Sequence, residues 1–190
     1  KIDSAADSWS GFIYQGKVAL YHVLRLLIED EESIIYHLQL DSLEDFAIVD
    51  GNIHQLSLHQ VKALASNLYS SYENAFKKLE DKLVLYPCNK AYFHLAKPNQ
   101  MTKAQIEAIH PTIDIYEYKD GNTYCPLDNI DQSIEYLIAL YFTNNNLDIY
   151  NNQEYIVLTR NCLEDIIVSQ IIAIHACNHR RNGLRLNEAA

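Results

Sequence analysis

Three side chains that could together bind a metal ion and a phosphate group lie where two neighbouring strands are predicted to meet. Gln60 and Lys62 follow two leucines on one face of a predicted strand, because side chains alternate along a strand with a period of two. A buried ammonium group needs a negative partner, and the nearest candidate is Asp45, across the hairpin that Asp50-Gly51 predicts. The acid and the amide oxygen would hold a divalent cation, and the lysine would steady a water molecule or a phosphate charge. This combination indicates nuclease chemistry.

The register of the hairpin decides whether these side chains meet. A tight turn at Asp50-Gly51 would place Asp45 opposite residues 56–58, and not opposite Gln60, by antiparallel counting. A bulge or a splayed strand start would then be needed to bring Asp45 and Gln60 together.

Three short motifs resemble those of a known nuclease superfamily. They are the segment Gly11 to Gln15 on a predicted first helix, the acidic segment Asp41 to Asp45, and Gln60-Val61-Lys62. They resemble the PD-(D/E)xK, or restriction-endonuclease-like, superfamily in its Gln-x-Lys variant. More narrowly, they resemble the N-terminal double-stranded-DNA endonuclease domain of bacterial anti-phage effectors. Those effectors include nucleases of cyclic-oligonucleotide signalling systems and related domains of ABC three-component systems.

The resemblance implies a metal-dependent DNA endonuclease that serves as the effector domain of an anti-phage defence protein in the cytoplasm. Asp45, Gln60 and Lys62 would be its catalytic residues. Asp41, Asp45 and Gln60 would bind Mg²⁺ or Mn²⁺, and Gln15 would lie near the site. Double-stranded DNA would be the substrate. Activation would come from homo-oligomerisation or from partner subunits, through a C-terminal region outside these residues.

The alternative is a catalytically inactive nuclease-like domain that acts as a protein-interaction or regulatory module. The chain has 25 acidic and 15 basic residues and a net charge of −10, whereas nucleic-acid binders usually present a basic face. Gln60 also replaces an acid of the superfamily pattern, which removes one metal-binding charge. A local basic strip could still contact phosphates, and Lys77, Lys78 and Lys82 on a predicted helix are the candidates for it.

Composition favours an ordinary soluble globular protein. Apolar residues make up 48% of the chain and charged residues 21%. No apolar run approaches the roughly 18 residues of a membrane span, and no signal peptide opens the chain. The four cysteines form no CxxC pair, which favours reduced cytosolic thiols over disulfides or a zinc knuckle. His175 and His179 have a metal-ligand spacing, but they lack the HExxH pattern and a nearby third ligand.

The order of elements predicts an α/β fold in which helices flank a mixed central sheet, and the resemblance implies that this sheet is a restriction-endonuclease-like core. A helix from Trp9 to Ile28 precedes three strands between Ile34 and Leu64, and a helix opened by a Ser70/Glu73 capping box follows them. Strands at residues 90–96 and 113–118 flank a short helix that Thr102 and Gln105 cap.

The last third of the chain is predicted to be helical. We expect a nuclease-like domain over residues 1–150 and a C-terminal helical extension over residues 151–190 that leads to a further domain. Because Met101 is the only methionine, we also expect the chain to be a domain cut from a longer protein.

Overall fold

A five-stranded mixed sheet lies at the centre of the residues that the structure describes. The computed structural model describes residues 5–41, 44–52, 54–149 and 152–188, with side chains described for 10–41, 44–52, 54–149 and 152–177. The sheet order is β1-β2-β3-β4-β5, where the first three strands are antiparallel neighbours and the last three are parallel. The strands are β1 (His37–Leu40), β2 (Phe46–Val49), β3 (Gln55–Lys62), β4 (Lys90–Leu95) and β5 (Asp114–Ile115).

In the described part of the chain, five α-helices cover the sheet, and the predicted α/β class is confirmed. They are α1 (Ala5–Glu29), α2 (Glu73–Leu85), α3 (Lys103–Ile109), α4 (Ile130–Asn144) and α5 (Gln153–Glu188). Short 3-10 helices span Glu31–Ile35, Tyr69–Ser71 and Lys119–Gly121. Among the described residues, no helix is long and apolar enough to span a membrane.

The boundaries of several elements differ from those predicted. The first strand begins at His37 instead of Ile34, because residues 31–35 form a 3-10 helix that the Asp30 side chain caps. The Ser70/Glu73 capping box is wrong, since a 3-10 turn ends in that region and Tyr72 precedes α2 without a side-chain cap. The Thr102/Gln105 capping box is confirmed. The predicted strand at 113–118 is paired only at Asp114–Ile115.

Two apolar cores lie on opposite faces of the sheet. On one face, α1, α4 and α5 pack together over Phe46 and Val61. On the other face, Phe76 and Leu79 of α2 and Ile106 of α3 pack over a second set of strand residues. Side chains therefore alternate between the two cores along β2 and β3, as the period of a strand requires.

The core under α1 contains a hydrogen-bonded set of histidines. His59 Nδ1 lies 3.0 Å from His94 Nε2, and His94 Nδ1 lies 3.0 Å from the hydroxyl of Tyr118. His22 Nδ1 lies 3.0 Å from the hydroxyl of Tyr116. Burial lowers the pKa of His22 to about 3 and holds the pKa values of His59 and His94 well below their usual range. These imidazoles are therefore packed as neutral groups.

Helix α5 packs against α1 at a glycine. A Cβ atom at Gly16 would lie 2.7 Å from Ile167 Cγ2 and 3.1 Å from Ile171 Cδ1, whereas one at Gly11 would meet nothing within 4 Å. Gly16 thus allows the backbones of the two helices to approach closely.

We expect Gly16→Ala and Gly11→Ala to change stability in opposite directions. Each gains about 1 kcal/mol of helix propensity, but the methyl group added at position 16 must displace a β-branched side chain, which typically costs about 1–3 kcal/mol. Urea denaturation should show Gly11→Ala to be more stable than the wild type and Gly16→Ala to be less stable. Ile167→Leu, which removes Cγ2, should restore part of the loss, and equal gains in both variants would contradict the close contact.

The buried histidines predict a loss of stability in mild acid. Their folded pKa values lie below the unfolded value of about 6.5, so the unfolded state binds more protons below that pH. Above about pH 6.5 the buried imidazoles do not lower the free energy of unfolding. Below that pH, each of them lowers it by up to about 1.4 kcal/mol per pH unit. The urea midpoint should therefore fall steeply between pH 6.5 and 5. A flat profile would show that the imidazoles are not held neutral.

Candidate functional site

The register of β2 and β3 places Asp45 next to Gln60. Phe46 pairs with His59, so the residue before Phe46 lies opposite the residue after His59. The tight-turn register, which would put Asp45 opposite residues 56–58, does not form, for two reasons. The loop is wider than a two-residue turn, because Asp50 N donates to His54 O, and a bulge between Ile48 and Val49 shifts the pairing by one further residue.

The Asp45 carboxylate is bound to β3 through one of its oxygens. Oδ2 accepts a hydrogen bond from the backbone N–H of Val61 at 2.6 Å and another from Gln60 Nε2. Gln60 is buried, while Asp45 is half-buried at the start of β2. The predicted convergence of the acid and the amide is therefore present in the structure.

Lys62 completes the set predicted from the sequence. It is half-buried at the end of β3, on the same face as Gln60, and its charge acts on Asp45. Burial raises the pKa of Asp45, and the charge of Lys62 and the hydrogen bonds from Val61 and Gln60 oppose that rise. The free-energy cost of burying the Asp45 carboxylate is thus only partly offset by its neighbours.

Glu44 is a further member of the site that the sequence-based prediction left out. Burial and the neighbouring Asp45 raise the pKa of Glu44, while Lys82, Lys62 and Lys78 lower it. Two of these lysines belong to α2 and are members of the predicted basic strip. The signal in the sequence was the acidic cluster itself, in which we assigned roles only to Asp41 and Asp45.

Asp41 directly follows β1, on the other side of the β1–β2 turn from Asp45. Its N–H donates to Asp45 O at 3.0 Å, and its backbone is in the left-handed region with φ 47°. Its exposed carboxylate raises the pKa of Asp45 slightly, as the last of several causes. Residues 42 and 43, inside the predicted acidic segment, lie outside the described residues.

Gln15 is half-buried on the sheet-facing side of α1. It shares a helix face with Ala19 and His22, and His22 packs against Phe46 and His59. One turn earlier, Phe12 contacts His175 of α5, which approaches Asp41. The first turns of α1 therefore lie at the end of the sheet that carries the acidic residues.

The oxygen atoms of this site suit a hard cation with few protein ligands. Among the described residues, no group of three or more His, Cys, Asp or Glu side chains is arranged to hold a metal. Mg²⁺ usually keeps several waters and binds through one or two carboxylates together with substrate phosphates. Asp45 with either Glu44 or the amide oxygen of Gln60 would meet that smaller requirement. His179, the second histidine of the pair noted in the sequence, has no described side chain.

The raised pKa of Asp45 predicts that its neutral analogue is more stable. Asp45→Asn keeps a carbonyl oxygen for the two hydrogen bonds and removes the buried charge. The pKa of Asp45 is higher in the folded state than in the unfolded state. The ionised carboxylate therefore destabilises the folded state fully above the folded-state pKa, and this effect disappears as the pH falls below the unfolded-state pKa. The urea midpoint of Asp45→Asn should therefore exceed that of the wild type at pH 7.5, with a gap that narrows in acid.

Asp45→Ala is the matched control for this effect. It removes the same charge and also leaves Val61 N–H and Gln60 without an acceptor, which costs about 1–3 kcal/mol. A fall in stability for Asp45→Asn as large as that for Asp45→Ala would show that the charge itself stabilises the fold.

Comparison with known protein families finds a match in the C-terminal part of the chain. Residues 113–188 match the family model for the C-terminal domain 1 of the ABC-three component (ABC-3C) systems, which covers β5, α4 and α5. No curated protein and no solved structure shows significant similarity to the chain. The match spans less than half of the chain, and it supports the anti-phage defence context implied by the N-terminal motifs.

Proposed function

We propose that this protein is a metal-dependent DNA endonuclease domain that serves as an effector of an anti-phage system in the cytoplasm. The observation that carries the proposal is the pair of hydrogen bonds from Gln60 and Val61 to Asp45, beside the charge of Lys62. The order α1, three antiparallel strands, α2 and a parallel β4 is also the order that the restriction-endonuclease-like resemblance implies. Two adjacent carboxyl groups with raised pKa values are typical of functional sites.

In this proposal, Asp45 would hold Mg²⁺ or Mn²⁺ together with Glu44, Asp41 or the Gln60 carbonyl. Bound metal would supply Lewis-acid activation of the phosphodiester and of water. Gln60 donates its amide N–H to Asp45, so its amide would have to rotate to present its oxygen instead. Lys62 would orient the attacking water or offset the negative charge that develops on the phosphate.

Lys78 and Lys82 would supply the contacts to the DNA backbone. Both act on Glu44 at the candidate site, so a local positive group exists on a chain whose net charge is −10. Lys77, the third residue of the predicted strip, forms an ion pair of 2.9 Å with Glu73 of its own helix. Double-stranded DNA would therefore be held by few phosphate contacts, and partner subunits or further copies would add affinity. The matched family comes from three-component systems, which fits activation by such partners.

The second candidate function is an inactive nuclease-like domain that acts as an interaction module. The orientation of Gln60 favours it, because the amide donates to the carboxylate in place of a second metal-binding acid. A closed acid–amide pair of this kind stabilises a hairpin without any metal. Cleavage assays separate the two functions.

We expect Lys62→Ala to reduce DNA cleavage by about 100-fold or more, the usual scale for loss of one preorganised electrostatic group. Nicking of supercoiled plasmid with Mg²⁺ or Mn²⁺ is the measurement. The variant should remain folded, with a lower urea midpoint than the wild type because Asp45 and Glu44 lose a charge that offsets their burial.

Lys77→Ala is the matched control, since it removes a lysine whose charge is already paired on the surface of α2. It should cleave like the wild type. If Lys62→Ala also nicks at the wild-type rate, Lys62 has no part in cleavage. If neither the wild type nor either variant nicks DNA, the interaction module becomes the better account.

A further inference from the structure

A histidine of α5 reaches the acidic end of the candidate site. His175 Nε2 is buried and has no hydrogen-bond partner among the described residues, and it lies 3.9 Å from Asp41 Oδ2. Its ring packs edge-on against Phe12, with ring centroids 4.5 Å apart. The imidazole is therefore fixed by α1 on one side and faces a carboxylate on the other.

The close packing of α1 and α5 is what brings this histidine to the site. Gly16 lets Ile167 and Ile171 approach α1, and His175 follows Ile171 by one helical turn. Because the two helices run antiparallel here, the next turn of α5 meets Phe12, which precedes Gly16 by one turn. The position of His175 thus depends on the docking of α5.

We propose that His175 is a positioning residue of the candidate site, which holds the Asp41 carboxylate in place for metal binding. This inference rests on the proposed nuclease function. A buried nitrogen without a partner is costly, and a shift of about 1 Å in the exposed Asp41 side chain would bring it within hydrogen-bond distance. Carboxylates that bind metals are commonly oriented by such partners, and loss of the partner lowers metal affinity about 10–100-fold.

The proposal links two parts of the chain. Asp41 lies in the segment that resembles the nuclease superfamily, whereas His175 lies in the segment that matches the ABC-3C domain. Movement of α5 away from α1 would withdraw His175 from Asp41 and loosen the metal site. The docking of α5 would therefore set metal affinity.

Calorimetric titration of Mn²⁺ into the full 190-residue chain tests the proposal, without DNA and with a DNA duplex. His175→Ala should bind Mn²⁺ about tenfold more weakly than the wild type. His175→Gln, whose Nε2 donor reaches a similar position, should recover part of the affinity. Cys177→Ser, at an exposed position two residues further along α5, is the matched control and should bind like the wild type. Both His175 variants lose the ring contact with Phe12, so their urea midpoints should fall to a similar extent, while only His175→Ala should show the full loss of Mn²⁺ affinity.

Each other outcome overturns the proposal in a recognisable way. Wild-type affinity in His175→Ala refutes the positioning role and leaves the nuclease proposal intact. Equal losses in the alanine and glutamine variants, with matching falls in urea midpoint, show that His175 only packs. Absence of Mn²⁺ binding by the wild type in both titrations refutes the metal-dependent nuclease, and the role of His175 in a metal site falls with it.

Discussion

The pairing of β2 with β3 is the constraint on which the candidate site depends. Strand residues alternate between two faces, so a shift of one residue would move Asp45 from the face of Gln60 to the opposite face. Without the bulge at Ile48, Asp45 would lie opposite His59 and point towards the core under α1. An unpaired carboxylate in that apolar and aromatic core would be costly. The one additional residue that the bulge inserts in β3 therefore decides whether Asp45 joins the polar site or enters the core and destabilises it.

Much of this arrangement follows from the sequence, and the rest depends on tertiary structure. The period-two pattern correctly placed Gln60 and Lys62 on one face, because half-buried strands keep their alternation whatever the turn does. The width of the loop could not be predicted, because Asp-Gly is also the usual signal of a two-residue turn. Here the Asp50 carboxylate instead accepts hydrogen bonds from Asn52 N and His54 N, which stabilises a longer loop.

Long-range contacts account for the other differences between sequence and structure. Glu44 lies near lysines of α2 that are distant in the sequence, and the packing of α5 on α1 brings His175 close to Asp41. The sequence predicted a helical end to the chain but not where α5 would pack. Ile156 belongs to the same core as Phe46 and Val61, and Leu163 and Ile167 pack against that core, so the helix lies on the sheet domain. The assignment of residues 151–190 to a separate extension stays a prediction.

The buried polar groups on one face of the sheet are compatible with a stable fold at neutral pH, whereas the acids on the other face lower its stability. The histidines under α1 are neutral, hydrogen-bonded and packed against aromatic rings, so their burial is compatible with a stable core at neutral pH. On the other face, the consecutive acids Glu44 and Asp45 are both half-buried, and burial raises the pKa of each. A fold selected for stability alone would replace one of these acids or surround both with fixed cations. The lysines around them are half-buried or exposed, so they can turn towards a ligand and still offset the acids in its absence. Destabilising charge beside incompletely buried cations supports the proposal that this site binds a metal ion and a phosphate.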